Sequence, residues 1–166
     1  VEDFFDVIDT EEKAYILGLL YADGYNNTDR NSVNLGLKES DKKILDKITN
    51  LIQPTKPLQY VDTSTSRKNI GFENSQNQYR LVIANKNISQ RLAELGCGKA
   101  KTHNLTFPTE EQVPSCLIRH FVRGYFDGDG SVYGDKQKQL SFVGTIDFLL
   151  PLQQFTSNNV IILYIQ

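Results

Sequence analysis

Two aspartates in this chain invite chemistry: Asp23 in "YILGLLYADGY" and Asp129 in "VRGYFDGDGS". Each ends an apolar stretch with helical spacing, and each is followed by glycine. A helix C-terminus carries partial negative charge and favours Lys, Arg or His, so aspartate is unwelcome there. The two stretches align without gaps: Gly18 with Gly124, Ala22 with Gly128, Asp23 with Asp129 and Gly24 with Gly130. In both, small residues lie one helical turn apart on one face, a spacing that lets two helix backbones approach closely. Packed through Gly18, Ala22, Gly124 and Gly128 about a pseudo-two-fold axis, the helices would bring Asp23 and Asp129 side by side. Neighbouring carboxylates at negative helix ends repel and have raised pKa values. A divalent cation is the natural compensation. Hard oxygen donors suit Mg²⁺ (or Mn²⁺), with further ligands from water and phosphate. Paired metals of this kind support phosphodiester hydrolysis.

Other readings compete for these residues. Asp-Gly is an ordinary turn former. "DGDGS" also hints at a calcium loop, but Val132 stands where its glycine belongs and Lys138 where its glutamate belongs. A third reading has the small-residue helices only mediating packing. The gap-free repetition, each copy closing a helix and opening a strand, favours a paired site.

The elements that must position the pair follow from local patterns. Asp9 and Glu12 read as a capping box for a helix over about 10–22. Strands follow in "YNNT" and "SVNLGLK", where Val33, Leu35 and Leu37 share a face. Ser40 reads as the cap of an amphipathic helix through "DKKILDKITNLI". "PLQYVDTS" and "QYRLVIAN" read as strands, and "NISQRLAEL" as a helix closed by Gly96. After the connector "GCGKAKTHNLTFP", Thr109 and Gln112 form a second capping box, opening "VPSCLIRHFVRGYFDG". A strand in "QLSFVGT", a helix interrupted by Pro151 and the β-prone "NVIILYIQ" complete the chain.

At the two repeats the chain resembles the LAGLIDADG homing endonuclease family. "ILGLLYADG" (16–24) and "VRGYFDGDG" (122–130) match its two nine-residue motifs. The resemblance implies an α+β fold: a pseudo-two-fold pair of αββαββα lobes, with antiparallel saddle-shaped sheets, packed through the two motif helices. The lobes are expected at 1–108 and 109–166, the second incomplete and leaving a sheet edge exposed. The family's metal ligands fall on Asp23 and Asp129. A basic catalytic residue from the connector falls on Lys101, beside Lys99, and Lys38 is a further candidate. The implied activity is a staggered double-strand cut at a long DNA site.

DNA contact is expected from polar strand faces, since a β-ribbon can read base edges in the major groove. The candidates are Asn26, Thr28, Arg30, Asn34, Lys38, Arg67, Lys68, Gln78 and Arg80, with Lys136 and Lys138 in the second lobe. Tyr21 departs from the motif where Asp127 keeps its first aspartate, and Arg123 is read as reaching solvent. His103 and His120 are read as structural. A catalytically inactive, maturase- or regulator-like nucleic-acid binder is the alternative.

Bulk composition sets the remaining bounds. A formal charge of −2 over 166 residues does not announce a nucleic-acid binder, so basic groups must be segregated. Two cysteines suggest no disulfide framework, which points to a reducing, intracellular compartment, cytoplasmic or organellar. No stretch is long and apolar enough to span a bilayer. With no methionine and Val1 at its start, the chain reads as a piece of a longer one, lacking the terminal residues of a splicing element. A monomer is expected, with association through the unfinished lobe left open.

Overall fold

The computed structural model describes residues 1–63, 76–99, 101, 104–135 and 138–156, and the backbone of 161–165. Helix α1 spans Glu11–Asp23. Its N-cap is Thr10, whose hydroxyl accepts from the Lys13 N–H at 3.2 Å. The expected cap, Asp9, instead pairs with the Lys13 ammonium at 2.8 Å, so the side chain one residue nearer the helix takes the orphan amide. From Ala14 to Tyr21, α1 is buried almost all round. Such a helix belongs between two layers rather than on a surface.

Strands β1 (Gly24–Asn27) and β2 (Ser32–Lys38) are joined by a 3-10 turn over Thr28–Arg30. Helix α2 (Lys42–Ile52) follows a 3-10 turn over Glu39–Asp41. Ser40 lies inside that turn and caps nothing, which corrects the expected start. Strands β3 (Gln59–Val61) and β4 (Gln78–Ala84) complete an antiparallel sheet in the order β1-β2-β4-β3. Helix α3 (Lys86–Glu94), capped by Asn85, ends near Gly96 at φ 101°, a left-handed conformation suited to glycine. The strand, strand, helix, strand, strand, helix order after α1 is the one expected.

The capping box at Thr109 forms reciprocally, at 2.9 and 3.3 Å with Gln112, but it opens only a turn. Val113 precedes Pro114, and a residue before proline is pushed out of the α region. Helix α4 therefore begins only at Ile118 and runs to Asp129. Strands β5 (Gly130–Tyr133) and β6 (Gln139–Gly144) lead into α5 (Ile146–Phe155), capped by Thr145. Pro151 lies inside α5 rather than ending it. The proline frees the carbonyl of Asp147, four residues earlier. The Phe107 N–H from the connector reaches that carbonyl at 3.5 Å.

The second sheet departs from the all-antiparallel expectation. Strand β7 (Ile161–Ile165) pairs parallel with β6, giving the order β5-β6-β7. Strand β7 thus covers one edge of β6. A strand reached through one crossover helix returns parallel to the strand before it. In the first sheet the strand after α2, β3, takes the far edge, and β4 turns back to pair antiparallel with β2. After α5, β7 occupies the inner slot directly, so the pair is parallel.

Candidate functional site

The helices α1 and α4 touch backbone to backbone. A Cβ on Gly18 would lie 2.0 Å from the Phe121 carbonyl oxygen and 2.9 Å from the Tyr125 nitrogen. A Cβ on Gly124 would lie 2.0 Å from the Tyr15 oxygen and 2.9 Å from the Leu19 nitrogen. These contacts are reciprocal: each glycine meets the residue three before and the residue one after its counterpart. Nearer the C-termini, a Cβ on Gly128 would stand 2.4 Å from that of Ala22 and 3.0 Å from Asp23 Oδ2. All four small residues named from the sequence therefore lie in one contact, and both helices end at their aspartates.

Burial raises the pKa of Asp23, and the neighbouring Asp129 carboxylate raises it further; Lys101 and Lys38 act against this. Burial likewise raises that of Asp129, opposed by Lys101. The two aspartates, distant in sequence, thus share one electrostatic site. Lys101 answers the problem of the acidic helix end. Its ammonium donates to the carbonyls of Tyr21 at 2.5 Å and Ala22 at 2.8 Å, supplying from the connector the cation that α1 lacks in its last turn. Burial draws the lysine's pKa down, while the aspartates pull it up. A cleft of about 220 Å³, with Tyr21, Ala22, Lys101, Tyr125, Asp129 and Gly144 in its wall, adjoins these groups.

Asp23 and Asp129 present hard, mutually repelling oxygen donors, the chemistry that suits Mg²⁺. Among the described residues no group of three or more His, Cys, Asp or Glu could hold an ion. A cation here would thus rely on two carboxylates and complete its shell from outside the protein. The donor set fits such an ion.

The first sheet presents a polar face. Cross-strand partners share a face, so the pairs Lys38–Gln78, Gly36–Arg80 and Asn34–Val82 place Asn34, Lys38, Gln78 and Arg80 together. Val33, Leu35, Leu37, Leu81 and Ile83 fill the other face with core. Asn26 is a correction. It is 3% exposed, its amide donates to the Ser89 and Cys97 carbonyls at 2.8 Å each, and it accepts from the Ser89 hydroxyl. Tyr25, paired with Asn34 and exposed, takes the face that Asn26 was expected to occupy. "YNNT" has no apolar alternation to set its phase, and a one-residue slip inverts a strand. Gln59, beside Arg80, shares that face; the cross-strand register that places it had no signal in sequence.

Thr28 and Arg30 lie in the 3-10 turn rather than on a strand. Lys99 pairs with Asp29 of that turn at 2.6 Å. Lys138 is exposed just before β6. Arg67, Lys68, Lys136 and His103 lie outside the described residues. His120 is buried, 3.3 Å from Glu11 and 2.9 Å from the Arg119 guanidinium. Arg123 reaches solvent and lies 4.8 Å over the Tyr15 ring, whose hydroxyl donates to Asp127 at 2.8 Å. Tyr21, standing where the motif has its first aspartate, packs edge-on against Phe121 and donates to the Leu95 carbonyl.

Asn26→Ala would leave two buried carbonyls and a buried hydroxyl without their partner. A loss of about 2–3 kcal/mol is expected in urea denaturation. Unchanged stability with altered DNA affinity would return Asn26 to the binding surface.

A helix pair ending in two carboxylates and a sheet with one polar face define the site of an α+β protein. Residues 117–148, from just before α4 into α5, match the family model of the LAGLIDADG-like domain. No curated protein matches the chain. The match covers the second motif helix and the strands after it. Among the described residues, no helix is long and apolar enough to cross a membrane.

Proposed function

We propose that the protein is a metal-dependent endonuclease that cuts both strands of DNA at a long specific site, leaving staggered ends. Two lobes, 1–108 and 109–166, related by a pseudo-two-fold axis along the α1–α4 contact, form the enzyme. The observation that carries this reading is the shared electrostatic site of Asp23 and Asp129 at the ends of two helices in backbone contact. Asp23 and Asp129 would hold Mg²⁺ or Mn²⁺. When bound, the ion supplies an activated water and charge stabilisation for the leaving oxygen.

This chain's own residues do the positioning. Lys101 holds the end of α1 through two of its three N–H donors, leaving one for a phosphate oxygen in the cleft. Lys38, at the end of β2, adds positive charge beside Asp23. Asn34, Gln78 and Arg80, with Tyr25 and Gln59, offer base-reading and stacking groups on one face. Thr28, Arg30 and Lys138 would contact the backbone at its borders.

A second reading, a non-cutting binder of the same fold, draws support from the smaller second sheet, three strands against four. Incubation with a randomised duplex library and Mg²⁺ separates the two. The expected result is one recovered sequence cut with staggered ends. Enrichment of bound, uncut duplex would overturn the nuclease reading. Arg80→Ala is expected to weaken binding about tenfold and relax preference at one base position, measured by competition binding at fixed salt.

A further inference from the structure

The helices α2 and α5 carry the same apolar spacing: Ile44, Leu45, Ile48 and Leu51 against Phe148, Leu149, Leu152 and Phe155. The middle pairs are buried in both, and Leu51 and Phe155 are exposed in both. The first pair differs: Phe148 is 0% exposed, whereas Ile44 is only partly buried. Phe148 lies among Tyr21, Phe121 and Tyr125 and has one further cover. Beside α5, the connector places the Phe107 ring 5.6 Å from Phe148 and 6.0 Å from Phe121. Tyr15 is the counterpart of Phe121 in the gap-free motif alignment. Beside α2, however, Tyr15, Ile16, Ile44, Ile48 and Leu51 line an open groove of about 450 Å³.

That groove is pre-shaped. The Tyr15 ring is held by its hydrogen bond to Asp127 and by Arg123 above it. Lys47 and Glu12 also line the groove, so charges of both signs accompany an aliphatic floor. Its volume falls within the range of ligand-sized clefts.

We propose that this groove docks an extended segment of a partner protein that inserts one aromatic side chain, as connector residues 105–108 do beside α5. The internal counterpart supplies the chemistry of the occupant: an aromatic ring against Tyr15 and Ile44, flanked as Phe107 is by a threonine and a proline. Docking does not depend on DNA cleavage.

The probe is a fluorescently labelled peptide with the sequence of residues 104–109, NLTFPT, titrated into the full chain and read by anisotropy. Saturable binding is expected, weakened about tenfold or more when the peptide's phenylalanine becomes alanine. The same loss is expected in Leu51→Lys and in Ile44→Gln, positions open enough to accept polar groups; thermal melts confirm that both variants are folded. Absence of saturable binding, indifference to the ring, or full binding by both variants would overturn the proposal. A concentration-dependent dimer dissolved by Leu51→Lys would also overturn it, assigning the groove to a second copy.

Discussion

Gly18→Leu is expected to destroy the packed helix pair, lowering stability by about 4 kcal/mol or more in urea denaturation. Even the first carbon of a new side chain would stand 2.0 Å from the Phe121 carbonyl oxygen, a backbone atom that cannot turn aside. Relief requires α1 and α4 to separate. Separation would open the aromatic cluster in which Tyr21, Phe121, Phe148 and Tyr125 meet. Gly124→Leu should behave alike, because it meets Tyr15 in the reciprocal way. Gly98→Ala is the control: nothing lies within 4 Å of its added carbon, and the change should stay within about 0.5 kcal/mol. A Gly18 variant with an unchanged midpoint would mean that the helix contact does not hold the fold together.

Asp23→Asn and Asp129→Asn are each expected to lower Mg²⁺-dependent DNA cutting by about a thousandfold or more. Without metal, the same substitutions should stabilise the protein at neutral pH. Both aspartates have folded pKa values above the ordinary 3.8, first because of burial. The folded state therefore binds protons more tightly than the unfolded chain. The resulting stability is complete below about 3.8 and is lost as pH rises through the elevated folded values. At pH 7 the wild type carries both buried charges, and each amide removes one of them. The melting-temperature advantage of each Asn variant should shrink as pH falls toward the carboxylate range. An advantage independent of pH would show that the carboxylates are not strained in the folded protein. Retained cutting in both variants would remove them from the chemistry.

Much of this was legible in the residues. The repeat named the two aspartates and the four small residues because helix-on-helix contact demands small side chains at fixed spacing. Alternation placed β2 with its core face correct, since Val33, Leu35 and Leu37 can satisfy burial only together. Where composition was uniform, the phase was lost. "YNNT" is polar throughout, so nothing local said that Asn26 would turn inward to bond Ser89 and Cys97. The second capping box was real but opened only a turn, because the proline following Val113 outweighs it.

What the sequence by itself determined was the pair of helices, the carboxylates at their ends and the order of strands around them. These rest on local periodicity and on a repeat, both written along the chain. Tertiary structure alone decided what stabilises the acidic helix end: a lysine from a connector far along the chain, bonded to the Tyr21 and Ala22 carbonyls. It also decided that β7 would lie parallel beside β6. Capping by a distant side chain and the choice of slot in a sheet depend on which surfaces remain uncovered once the core has formed, and no local pattern encodes that.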